Sequence, residues 1–121
     1  MENKTDSINT KRLIMGIYRV FDANDPKAGS FVGFSRNVEG TIKRLRFELT
    51  LNACSYKPLQ EFYSHLASPT IELYEKYDPE GGTDGMSDTE IDAHLYALLL
   101  KAKNSLGERT QFIQTPGALN W

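Results

Sequence analysis

The spacing of apolar residues changes along the chain, and each change marks an element. From Met15 to Phe21, the residues Ile17, Tyr18, Val20 and Phe21 make a β-rich run between Gly16 and Asp22, which predicts a strand. Residues 22–29, DANDPKAG, are dense in turn formers, and Ser30–Phe34 follows as a second short strand. Together they predict an antiparallel hairpin with a long loop. After Ser35 the period becomes helical: Val38, Ile42, Leu45 and Leu49 fall at i, i+4, i+7 and i+11, behind Asn37 as a suitable N-cap. Ala53–Lys57 breaks this run. Pro58 suits the first turn of a second helix, Leu59–Leu66, which groups Leu59, Phe62, Tyr63 and Leu66. Beyond Pro69, Thr70–Tyr77 alternates through Ile71 and Leu73 as a third strand. Residues 78–86 form an acidic, glycine-rich loop. Ser87 then opens a long helix with Ile91, Leu95, Leu98 and Ala102 along one face, and Gly107 is placed to stop it.

The pattern predicts an α+β domain: a small three-stranded antiparallel sheet flanked by helices, in the order β-β-α-α-β-α. Residues 1–13 read as a flexible N-terminal segment, 14–106 as the domain, and 107–121 as a polar tail whose apolar anchors are Phe112, Ile113 and Trp121.

Composition narrows the function classes. The chain has 121 residues, enough for one domain with a modest core. Fourteen Lys and Arg stand against 16 Asp and Glu, a net charge of −2, which argues against a strong non-specific nucleic-acid binder but leaves room for a local basic patch. The single cysteine, Cys54, can form neither an internal disulfide nor a zinc site alone, and a reduced, cytoplasmic setting fits it best. No apolar run reaches the length of a membrane span, and the N-terminus lacks the apolar segment of a signal peptide. Asp22, Asn24 and Asp25 are too closely spaced for a calcium loop and read as a turn. Asp78, Glu80, Asp84 and Asp88 read as a solvated acidic edge. Cys54 and His65 lack the partners for nucleophilic catalysis.

Several short motifs then fall in a telling order. Gly16-Ile17-Tyr18 opens the first strand, Phe31-Val32-Gly33 closes the second, and Ser35-x-Asn37 precedes the first helix. Pro58-Leu59-Gln60-Glu61-Phe62-Tyr63 and Ile71-Glu72-Leu73 follow. This arrangement resembles the GIY-YIG nuclease superfamily over roughly residues 14–104. The stretch N-V-E-G-T-I-x-x-x-x-F-E-L, from Asn37, looks like a divergent branch in which the helix arginine is commonly absent.

The resemblance implies metal-dependent phosphodiester hydrolysis, with Mg²⁺ or Mn²⁺ as the cofactor of an active member. It assigns the work to a glutamate that binds the metal, tyrosines of the two strand motifs, and a helix arginine that stabilises phosphate charge. Carried over residue by residue, Tyr18 is retained. Phe31 stands at the second tyrosine and keeps its packing without the hydroxyl. Thr41, ten residues after Phe31, stands where the arginine is expected. Arg44 lies one turn, roughly 5 Å, further along the helix, a large displacement for transition-state geometry. Glu90 is the candidate metal ligand, with His94 four residues later on the same face. Ser87-Asp88-Thr89-Glu90 also reads as a capping box, which gives Glu90 a second role without a metal. Gly40, inside the first helix, costs on the order of 1 kcal/mol against alanine and suggests close approach of a strand or ligand backbone. Arg36, Lys43, Arg44 and Arg46 are the candidate nucleic-acid contacts, with a solvated helix face as the plainer reading of the last three.

The expectation is a divergent GIY-YIG-like domain, catalytically impaired, acting as a nucleic-acid-related binding or regulatory module. Its alternatives are a weak divalent-metal-dependent endonuclease using Tyr18, Arg44 and Glu90, and a generic protein-interaction domain that shares only the α+β shape.

Overall fold

The computed structural model describes residues 13–113. The expectation for the N-terminal segment, apart from its last residue, and the anchor role of Trp121 lie outside them. The first two β-rich runs form the expected hairpin: β1 (Gly16–Asp22) pairs antiparallel with β2 (Ser30–Ser35). Asp22 fixes its loop, accepting backbone N–H groups from Asn24 at 2.9 Å, Ala67 at 3.1 Å and Ser68 at 3.0 Å. The carboxylate thus belongs to a turn that ties two loops together.

The chain continues through α1 (Val38–Thr50), α2 (Lys57–Ser64), β3 (Pro69–Lys76), α3 (Asp88–Leu106) and β4 (Thr110–Phe112). β3 pairs antiparallel with the free side of β1. The fold is α+β, but the sheet differs from the expected three antiparallel strands. It has four strands in the order β3-β1-β2-β4, and β4 runs parallel to β2, with Ser30 opposite Thr110 and Val32 opposite Phe112. The first residues of the expected tail therefore complete the sheet. Three residues carry too little alternation to declare a strand; the β2 ladder and the burial of Thr110 and Ile113 hold them in place.

Helices cover both faces of the sheet. Alternation along β1 sends Tyr18 and Val20 to one face and Ile17 to the other. On the first face Tyr18, Val20, Phe31 and Ile71 pack with Val38, Leu45 and Leu49 of α1 and Leu59 of α2. On the second, Ile17, Val32 and Phe34 pack with Ile91, Leu95, Leu99 and Ala102 of α3. The α3 stripe thus centres on Leu99, where the sequence pattern pointed to Leu98; both lie within one turn, and Leu98 is only half-buried. Among the described residues no helix is long and apolar enough to cross a membrane.

Candidate functional site

The two strand motifs meet across the hairpin. Tyr18 lies opposite Gly33, so the tyrosine of the first motif stands over the glycine of the second. A Cβ on Gly33 would come within 2.5 Å of the Tyr18 hydroxyl, so only glycine leaves room for that ring. Gly16 is required for a similar reason. A Cβ there would collide with the Glu75 carbonyl of β3, beside the register shift between Ile17 and Tyr18.

Tyr18 is 2% exposed, and its hydroxyl has no hydrogen-bond partner among the described residues. Burial pushes the phenol well above its ordinary value of 10.0. The Arg44 charge acts in the opposite direction and is outweighed; Cys54 adds slightly to the rise. Phe31 shares this face and is equally enclosed, its ring 4.9 Å from Phe62 and 6.4 Å from Tyr56 between centroids.

The S-x-N motif builds the start of α1. The Ser35 hydroxyl accepts the Asn37 N–H at 2.8 Å, and the Asn37 side chain caps the helix by accepting the Gly40 N–H at 3.1 Å. Thr41 shares a 2.8 Å hydrogen bond with the Ser35 hydroxyl, so the side chain at the expected arginine position helps close this junction. Gly40 owes its place to this cap. A Cβ there would press on the Asn37 amide at 2.6 Å, so the nearest neighbour is this capping side chain and not a strand.

Arg44 has 59% of its side chain exposed and reaches Glu48 at 3.4 Å, in an i,i+4 pair worth little in water. Its charge is nonetheless felt at Tyr18 from the solvent side of α1. Arg36 bridges to the start of α3, 3.0 Å from Asp88 and 3.3 Å from Asp92. Arg46 donates to the Ile71 carbonyl at 3.4 Å. Lys43 makes no ion pair among the described residues. It lies beside Arg46 in a shallow groove that also holds Phe47 and Leu51.

Glu90 completes the capping box. Its carboxylate accepts the Ser87 N–H at 2.9 Å while the Ser87 hydroxyl accepts the Glu90 N–H at 3.1 Å. His94 turns to a different partner, the Tyr77 hydroxyl at 2.6 Å. Glu90 sits on α3, whose buried stripe packs against the sheet face opposite Tyr18. Among the described residues no hydrogen bond or ion pair links Glu90 to Tyr18 or Arg44, and no three His, Cys, Asp or Glu side chains gather as a metal site. The donor set around Glu90 does not fit a resident metal: one carboxylate, already committed to a helix start.

Tyr18, Phe31 and Arg44 are therefore brought to one side of the sheet, with Thr41 at the start of α1, and Glu90 is not. Two features escaped the sequence pattern. A cleft of about 540 Å³ opens where Arg36, Lys76 and Tyr77 face Asp78 and Asp84, and of the candidate residues only Arg36 lines it. Gln60, the glutamine of the L-Q pair, is buried and fully engaged. It accepts the Cys54 N–H at 3.0 Å and donates to the Leu49 carbonyl at 3.2 Å, locking α2 to the end of α1. Its position after the α1 break was the available signal, because a polar residue beside an apolar stripe is a candidate for closing orphan helix-end carbonyls. Compared with known proteins, the chain matches no family model, no curated protein and no solved structure.

Proposed function

We propose that this chain is a catalytically impaired GIY-YIG-like module that acts by binding or regulation in a nucleic-acid-related role. One observation carries the reading: the surviving motif tyrosine is sealed in the core. Tyr18 is buried away from water, and burial pushes its phenol further from the phenolate that could accept a proton. Its neighbours do not compensate. Phe31 has no hydroxyl, Thr41 has no charge, and Glu90 is occupied at a helix start. The charge pattern also supports modest binding. Of Arg36, Lys43, Arg44 and Arg46, the three arginines already hold intramolecular partners.

One feature favours the weak-nuclease reading: Arg44 lies on the helix that covers the Tyr18 face of the sheet, where its charge opposes, without overcoming, the effect of burial on the phenol. A paired assay separates the two. Labelled single- and double-stranded DNA and RNA are followed for binding and for cleavage with Mg²⁺ or Mn²⁺. Impairment predicts weak, salt-sensitive binding and intact substrate. Metal-dependent cleavage lost in Arg44→Ala would establish the nuclease instead.

A further inference from the structure

β3 is an edge strand, with β1 on one side and no strand among the described residues on the other. An open edge presents backbone N–H and C=O groups that can template another strand. Here the edge is guarded at one point, by the long 3.4 Å hydrogen bond from Arg46 to the Ile71 carbonyl. A bond of that length is weak and easily exchanged.

The same arginine lines the α1 groove with Lys43, Phe47, Thr50 and Leu51, a space of about 350 Å³. Phe47 is 67% exposed and Leu51 59%, one turn apart on the same helix face. Leu73 lies opposite Tyr18 and therefore emerges on the α1 side of β3, 38% exposed. Glu72, opposite Arg19, points to the other face. An open edge thus lies beside an apolar groove whose two charges, Lys43 and Arg46, are both positive.

We infer that this junction is a strand-addition site for an extended peptide whose groove-facing positions carry both acidic and apolar side chains. The peptide backbone N–H takes over the Ile71 carbonyl, and the released Arg46 guanidinium pairs with a peptide carboxylate beside Lys43. The apolar side chains on that same groove-facing side of the peptide cover Phe47, Leu51 and Leu73. Main-chain bonds supply affinity, and the groove supplies selectivity. The inference stands on the β3 edge and α1 alone and does not require the GIY-YIG reading.

The test is a titration of the isotope-labelled chain, followed by nuclear magnetic resonance, with a short capped peptide in which valine and glutamate take turns along one strand face and threonine fills the other. The expected result is movement of the Ile71, Leu73 and Phe47 amides and slowed hydrogen exchange at Ile71 and Leu73. The same peptide with lysine in place of glutamate leaves them unmoved. Lys43→Glu combined with Arg46→Glu weakens binding roughly tenfold, while unchanged β1–β2 amide positions show that the variant is folded. Silence at β3 with millimolar peptide would overturn the inference. So would an equal response to the lysine peptide, edge pairing between copies of the chain that excludes the peptide, or oligothymidine moving the same amides.

Discussion

The Tyr18 hydroxyl is buried, neutral and without a hydrogen bond among the described residues, so removing it should cost little. Tyr18→Phe is expected to leave stability within about 0.5 kcal/mol of wild type or to raise it, because an unsatisfied buried polar group is lost. A loss well beyond that in urea unfolding would mean the hydroxyl is satisfied in solution. Its pH signature is distinct. The folded phenol ionises above its ordinary 10.0, so the full contribution is present below pH 10. Above that, the unfolded chain gives up a proton that the folded chain keeps, and stability falls. Tyr18→Phe should flatten that alkaline decline. Asp22 works in the opposite sense. Its backbone hydrogen bonds, Asn24 first, lower its pKa below 3.8, so its contribution is present above that value and fades as pH falls through the lowered one. Asp22→Asn should therefore shrink the acid-side loss of stability measured by circular dichroism. Gly33→Ala should cost about 1–3 kcal/mol in the same unfolding assay, since the enclosed Tyr18 ring has nowhere to move.

Between elements, the strongest single connection is Gln60. Truncation to alanine strands the Cys54 N–H in the interior and leaves the Leu49 carbonyl with the Asn52 N–H, at a cost of about 1–3 kcal/mol. An unchanged thermal midpoint would show that water replaces it. Ser87→Ala should cost about 1 kcal/mol by opening the capping box. The element scale is also where the sequence was most readable. Asn37, Pro58, Ser87 and Gly107 each mark a helix end by local chemistry, and the helices begin and end beside them. β4 was not readable, because its strand character comes from the β2 ladder and not from its own three residues. The role of Gly40 was misjudged for a related reason. Spacing cannot reveal that a capping amide folds back over the glycine three residues on.

Taken as a whole, the molecule separates what spacing can promise from what packing decides. The motifs placed Tyr18 and residue 31 on one sheet face, because period-two alternation and an antiparallel register suffice for that. Whether Tyr18 meets solvent and which face α3 covers depend on contacts between distant elements, and no local pattern encodes them, whereas the capping contact of Glu90 is local and was legible. The charge balance points the same way. A net charge of −2, with two of the four candidate cations already in ion pairs, leaves little positive field for phosphate. The proposal to be tested is that this scaffold is catalytically impaired toward phosphodiesters. The most direct measurement is a time course of labelled DNA and RNA cleavage with Mn²⁺, comparing wild type with Glu90→Ala. We predict no product above the metal-free control in either protein. Product formed by wild type and abolished in Glu90→Ala would contradict the account.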